Sequence, residues 1–466
     1  MESFEHMGYW WLPLESNEPI SKVPETAIPG KLSFDPTTGG LLELRIEGRD
    51  LYMGFDNSVY SIIFGVAEAR EYTLLNCTLV DGYRIQTRDF STRQKVFAIE
   101  TIIEGSHIES IDDITLEYVS ASYTYLDDWM DQGNFQFEDG AVRYLGIEPT
   151  TIQLEDKEIS FSAGIGEGIS RTEVVMKESY WVMVTPNEAQ PLQEYRQLID
   201  IQLPNFLSLA TGVPNYPSDI RAEITTGDMP KHINIYYWVS GYADKPRPML
   251  PEHMMFTFKD VQNSPSKYLS NWISKSVELQ SVYDLYHQSI YSRVIHFRTR
   301  FLLLAQALEA YHRNLYDEKY QKKCRYKSAK RALKDAIPEW IDDEHRSNLL
   351  ASIDHGNDFS LKTRIVKILD KILRNYLEGD NFAIVDSLIG DFHEFAEEVK
   401  ATRNYLTHHP KKRSKKVLSD DEIVEYIPKM LLLLRICLLI ELGCPPEKIK
   451  HQVIGNPEFN RVTGRW

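Results

Sequence analysis

Cysteine is scarce in this chain: 466 residues hold four, Cys77, Cys324, Cys437 and Cys444, and no two are spaced as C-x-x-C. That excludes a disulfide framework and a cysteine zinc site, and it fits a reducing compartment. Long apolar runs are missing too. The longest, Met430 to Ile440, is interrupted by Arg435 and falls well short of the roughly 20 residues that a membrane span requires. The opening Met1-Glu-Ser-Phe-Glu-His6 has neither the positive flank nor the apolar core of a secretion signal, so a cytoplasmic protein without a membrane partner is expected. Positive charge is also in deficit. With 52 basic against 68 acidic side chains the formal charge is −16, which rules out a protein that coats nucleic acid with a uniformly basic surface.

The 42% hydrophobic content is that of an ordinary folded protein, and the length suggests more than one domain. The charge is uneven: residues 1–250 carry −21 and residues 251–466 carry +5, which together make the −16 of the whole. Two units with different partners are expected. In the first, Leu42, Leu44 and Ile46 alternate with Glu43, Arg45 and Glu47, and the two-residue period returns at Ile159/Phe161/Ala163 and at Ile233/Ile235/Tyr237/Val239. Such alternation predicts a mainly antiparallel β domain, a sandwich or open barrel with a few helices. Gln193–Ala210 has helical spacing instead; Pro204 should kink or split it and Gly212 should end it. The triplet Gly164, Gly166 and Gly168 lies among strands and reads as a hairpin tip, while Asp127-Asp128-Trp-Met-Asp131 reads as a solvated acidic loop.

The prolines of Pro246-Arg-Pro-Met-Leu-Pro251 mark a boundary. The expected organisation is a β-rich, acidic domain over 1–250, a proline-containing linker over 251–265, and an all-helical domain over 266–466, an α+β multidomain protein. In the last of these, Ile290, Val294, Phe297, Phe301, Leu304, Leu308, Tyr311 and Leu315 step by four and three, as one face of a single long helix. Leu388, Phe392, Phe395, Val399, Thr402 and Leu406 repeat the pattern. A third helix should open with the capping box Ser419/Glu422 and stop at Gly443.

The second of these helices ends Ala401-Thr-Arg-Asn-Tyr-Leu-Thr-His-His-Pro410 and holds R-N-x-x-x-H at Arg403, Asn404 and His408. Two other Arg-Asn pairs start the same way, at Arg313-Asn314 and Arg374-Asn375, but Glu318 and Gly379 stand where the histidine would be. The pattern resembles that of HEPN ribonucleases, whose RxxxxH motif usually carries Asn after the Arg on a helix of a small all-α bundle. The layout is similar to ApeA-type anti-phage defence proteins, an acidic β-rich N-terminal domain opening on G-x-W-x-L-P, here Gly8-Tyr-Trp-Trp-Leu-Pro13, followed by a HEPN domain. The resemblance implies a metal-independent endoribonuclease of abortive-infection type that needs no cofactor, with a homodimer or higher oligomer built on the HEPN domain. It also implies RNA as substrate, tRNA being one candidate, and a sensor and regulatory role for the N-terminal domain over 1–250, with a phage-derived protein as its trigger.

Physical chemistry gives each residue a task. RNA carries its own nucleophile, the 2′-OH, so cleavage needs a proton shuttle and a cation for the charge developing on phosphorus. His408 suits the first role and Arg403 the second. On an ideal helix these two residues diverge by about 140°, so they do not readily converge on one phosphate within a chain, whereas a twofold dimer can bring both pairs into one cleft. Asn404 completes the motif. His409 fits a looser spacing and ranks second, as does Glu309 on the long helix, which could orient Arg403 or merely border its apolar face. The run Lys411, Lys412, Arg413, Lys415 and Lys416 is a candidate phosphate track. Alternative readings are a non-catalytic RNA-binding or dimerisation scaffold, and the toxin of a toxin–antitoxin pair.

Overall fold

The computed structural model describes residues 1–13, 23–47, 55–86, 91–108, 115–131, 133–146, 148–226, 229–242, 248–292, 294–316 and 318–464. Part of the proline segment expected to mark the boundary, 243–247, lies outside them. The chain forms two compact units, Met1–Ser266 and Lys267–Trp466.

The first unit is β-rich. Six antiparallel strands close on themselves in the order Ser91–Glu104, Gly39–Glu47, Ile28–Asp35, Phe4–Trp11, Val59–Ala67 and Arg70–Gln86, the last pairing again with the first. Closure removes the open edges that a sandwich would leave. The alternation seen in sequence is the inside of this barrel's wall: Leu42, Leu44 and Ile46 are buried, as are Leu32, Leu74 and Phe97. The G-x-W segment is structural. Trp10 is fully buried and sits opposite Gly65 in the strand ladder, where a Cβ would come within 2.0 Å of the indole. A Cβ on Gly8 would lie 2.5 Å from the Val66 carbonyl oxygen. Gly65 therefore lets its strand pass under a large ring, and Gly8 lets the first strand approach Val66 and Ala67 closely.

From Thr101 on, the edge of strand Ser91–Glu104 that had faced Gly39–Glu47 pairs with Met229–Tyr237, and the sheet continues through Pro217–Thr226, Thr115–Tyr123, Val174–Pro186, Lys157–Ile169 and Thr150–Gln153. Gly164, Gly166 and Gly168 lie within this ladder, opposite Ser179, Lys177 and Val175, and not at the hairpin tip that their spacing suggests. The acidic stretch is likewise no loop. It forms the helix Leu126–Met130, in which Asp127 accepts a hydrogen bond from the Tyr180 N–H at 2.9 Å and Trp129 is buried against Phe161, Phe206, Phe256 and Phe258. Because Trp129 Nε1 also donates to the Phe256 carbonyl at 3.1 Å, residues 251–265 are packed into the first unit. Pro204 is accommodated by widening the helix into a π turn over Gln197–Gln202, and the Ile199 carbonyl accepts from Tyr123 Oη at 2.9 Å; Gly212 ends the helix in the left-handed conformation.

The second unit is all-helical. Helix Asp420–Glu441 opens with the expected capping box and is buried on every side from Met430 to Leu439, so that half forms the centre. Its lone charge in the apolar run, Arg435, is buried and donates to Tyr286 Oη at 3.1 Å and to Glu458 Oε2 at 2.7 Å. The long helix of the sequence reading is two: Ser276–Tyr291 and Phe297–Tyr316. The adjacent β-branched residues Val294 and Ile295 disfavour helix there, and His296 Nδ1 accepts from the Arg298 N–H to start the second helix, leaving Val294 exposed while Phe301, Leu304, Leu308 and Tyr311 are buried. The other apolar stripe is also broken, at Gly390 with φ 73°, so Leu388 belongs to helix Ala383–Ile389 and the rest to helix Phe392–His408. Among the described residues no helix is long and apolar enough to cross a membrane.

Gly65→Ala is expected to destabilise the β-rich unit by about 1–3 kcal/mol through overpacking against Trp10. Urea unfolding of the full chain, followed by indole fluorescence, measures it; an unchanged midpoint would contradict the close packing.

Candidate functional site

The motif helix Phe392–His408 is defined at both ends. Asp391 accepts from the Glu394 N–H at 2.8 Å, and at the other end His409 turns to φ 44° while its N–H still donates to the Tyr405 carbonyl at 2.9 Å. Pro410 accounts for this stop, since its ring excludes right-handed helix from the residue before it. His408 therefore occupies the last helical turn and His409 the left-handed cap; both are exposed.

The inner face of this helix, Phe395, Ala396, Val399 and Thr402, is buried. Thr402 Oγ1 accepts from the Leu418 N–H at 3.0 Å, which folds the basic stretch back along the helix. Arg413 donates to the carbonyls of Val417 and Leu418 at 3.3 and 2.7 Å and lies 5.6 Å from the Tyr405 ring centre; Lys416 Nζ is 2.6 Å from Glu394. Two of the five cations thus hold the loop in place. Lys411, Lys412 and Lys415 are exposed, and no hydrogen bond or ion pair ties them to a described residue.

Arg403 points the other way. Its Nη1 donates to Asn404 Oδ1 at 3.1 Å, and its Nη2 stands 3.5 Å from Glu309 Oε2. Glu309 is 16% exposed and Arg403 30%. The other oxygen of the same carboxylate, Glu309 Oε1, lies 2.6 Å from Arg313 Nη2. One carboxylate therefore carries two guanidiniums from two helices. The structure joins Arg403, Asn404 and Glu309; it does not join them to His408, and no hydrogen bond or ion pair links Arg403 to that residue.

Behind this pair lies a third guanidinium, Arg364, which is buried, donates through Nε to the Phe359 carbonyl at 3.1 Å, and directs Nη1 at His312 Nδ1, 3.3 Å away. Burial, and next the charge of Arg313, lower the Arg364 pKa. Burial and then the charge of Arg364 push the His312 imidazole down to about 4, so it is neutral and accepts at Nδ1. Sequence reasoning passed over Arg313 as a lost copy of the motif. The signal that marks it is its spacing of four from Glu309 on one helix face. Nothing in the sequence pattern pointed to Arg364 or His312. Among the described residues no three His, Cys, Asp or Glu side chains gather as a metal site.

Two family models match the chain: ApeA N-terminal domain 1 over residues 5–272, and Apea-like HEPN over residues 302–448. The chain belongs to the ApeA family. The HEPN match contains Glu309, Arg313, Arg364, Arg403 and both histidines, so the residues joined by Glu309 lie in a domain that is typically a metal-independent ribonuclease of anti-phage defence. No curated protein and no solved structure matches the chain.

The electrostatics of the helical unit make it acid-sensitive. His312 is held near 4, and burial alone holds His287, whose ring nitrogens have no partner among the described residues, near 3. Both folded values lie below the 6.5 of a free imidazole. As pH falls, the unfolded chain takes up these protons first, so stability is complete above about pH 6.5 and is lost progressively toward about pH 3. Urea unfolding followed by the helical circular dichroism signal should show the midpoint dropping across that window. His287→Phe should make the drop shallower; an identical profile would remove His287 as a source.

Proposed function

We propose that this protein is a metal-independent endoribonuclease of phage defence, whose active site is composed of the motif helices of two HEPN domains. The observation that carries this reading is the division of labour on one helix. Arg403 is fixed by Glu309 and Asn404, while His408 stands exposed in the last turn without a partner among the described residues. A cation that must meet a developing phosphorane charge benefits from being held in advance. A proton shuttle benefits from free access to substrate.

In this mechanism the ribose 2′-OH attacks the adjacent phosphorus, the 5′-oxygen leaves, and the products end in a 2′,3′-cyclic phosphate and a 5′-hydroxyl. His408 of one protomer takes the 2′-OH proton and the equivalent residue of the second donates to the leaving oxygen. Arg403 stabilises the charged phosphorane. The helical period that separates Arg403 from His408 by about 140° is the reason for two protomers. Lys411, Lys412 and Lys415 supply free cations beside the motif for the RNA backbone. The acidic first unit restrains the nuclease until a phage protein engages it, and tRNA is the favoured class of substrate.

His408→Ala is expected to lower cleavage by about 10²–10⁴-fold and Arg403→Ala by about 10²–10³-fold, with EDTA present throughout. Glu309→Gln should give a smaller loss, since Arg403 keeps Asn404. RNA-end sequencing after digestion of total cellular RNA by each purified form in EDTA reads activity, site and substrate together. Cleavage that survives both alanine substitutions would overturn the site.

A further inference from the structure

Between the long helix and the motif helix the chain makes a helical hairpin, Lys323–Asp335 and Asp343–His355, in which no residue of either helix is buried. It is not a spare core element. Its base is tied down with care: Asn357 accepts from the Gln321 N–H at 2.8 Å and donates back to the Gln321 carbonyl at 2.9 Å, and Lys319 pairs with Asp358 at 2.7 Å. A hairpin that is anchored at its base yet hides no apolar side chain has its surface as its product.

That surface is strongly one-sided. Lys322 and the helix it caps hold seven basic residues and one acidic residue, Asp335 at the last position. Lys330 and Lys334 turn toward the second helix, where Asp354 takes both, at 2.8 and 2.7 Å. Lys323, Lys327 and Arg331 are exposed, and no ion pair or hydrogen bond joins their side chains to a described residue. They recur every four residues, about 6 Å of rise apart on adjoining parts of one face, so three unpaired cations form a line. The opposite pole of the hairpin, with Glu339, Asp342, Asp343 and Glu344 around its turn, is acidic. The acidic residues thus gather at the tip, and a polyanion is directed to the part of the arm between the base and Arg331.

We infer that the Lys323/Lys327/Arg331 face is a second RNA-backbone contact of the nuclease, separate from the loop at 411–416, which grips the body of a long or structured RNA outside the cleaved bond. The inference rests on the ribonuclease reading. It is supported by the position of the hairpin base, which begins just after the long helix ends at Tyr316, about 10 Å of helix rise beyond Glu309. Phosphate contacts of this kind add affinity and salt dependence and carry no base specificity.

The test compares the full chain with the variant Lys323→Gln/Lys327→Gln/Arg331→Gln and with the charge-conserving Lys323→Arg/Lys327→Arg/Arg331→Lys. Each is measured for binding and cleavage of folded tRNA and of a short single-stranded oligoribonucleotide over a range of salt. The glutamine variant is expected to bind tRNA on the order of tenfold more weakly, with the slope of log affinity against log salt reduced by about 2, and to cut the short oligonucleotide at the wild-type rate. The charge-conserving variant should behave as wild type. Wild-type tRNA affinity and salt slope in the glutamine variant, with cleavage intact, would overturn this inference alone. So would unchanged RNA binding accompanied by loss of self-association, which would make the face a contact between copies. If the wild-type chain neither binds nor cleaves either RNA, the ribonuclease reading falls and this inference with it.

Discussion

Glu309 faces Arg403 with one oxygen and Arg313 with the other, so a single half-hidden carboxylate decides where two cations stand. The arrangement needs the long helix and the motif helix to be packed at a definite register, and the rest of the helical unit supplies that. The buried helix Asp420–Glu441 is its centre, and Glu441 at its end accepts from Tyr311 Oη of the long helix at 2.8 Å. On the far side Lys362 pairs with Glu397 of the motif helix at 2.9 Å. The Arg364–His312 contact adds a buried cation that has been accommodated by keeping its neighbour neutral, instead of by giving it a carboxylate. That choice leaves Glu309 as the carboxylate available to the two surface-facing arginines.

The helical period imposes the complementary constraint. Two residues five apart on a helix diverge by about 140°, so Arg403 and His408 of one helix do not readily converge on one phosphate. Here the divergence is accompanied by a difference in state: the arginine is held and the histidine is free. Pro410 contributes by ending the helix at His408 and turning His409 out of it, so two histidines that differ by one residue of spacing also differ in backbone conformation.

Charge has been distributed to match. The acidic total belongs to the β-rich unit, where many carboxylates are occupied in holding strands, as Glu104 is by Arg70 and Tyr236. In the helical unit, basic residues are concentrated in two segments, the loop after the motif and the first helix of the exposed hairpin. In both, part of the charge is spent on structure, through Arg413 and Lys416 in one and Lys330 and Lys334 in the other. The remaining lysines and arginines face water.

The sequence by itself determined the two-unit plan, the β and helical character of each unit, the capping box at Ser419, the stop at Pro410 and the R-N-x-x-x-H motif, because each is written in local periods, caps and breakers that act over a few residues. It also placed Leu42, Leu44 and Ile46 in a core. Only the tertiary structure decided that the strands close into a barrel, since closure depends on pairing between Arg70–Gln86 and Ser91–Glu104 and on how Gly65 passes beneath Trp10. Only it divided the apolar stripes into separate helices, packed the acidic Leu126–Met130 stretch around a buried tryptophan, and gave Glu309 its two arginines. Those outcomes turn on contacts between distant segments, 94 residues apart for Glu309 and Arg403 and 127 for Trp129 and Phe256, and a local pattern carries no information about which carboxylate a distant guanidinium will meet.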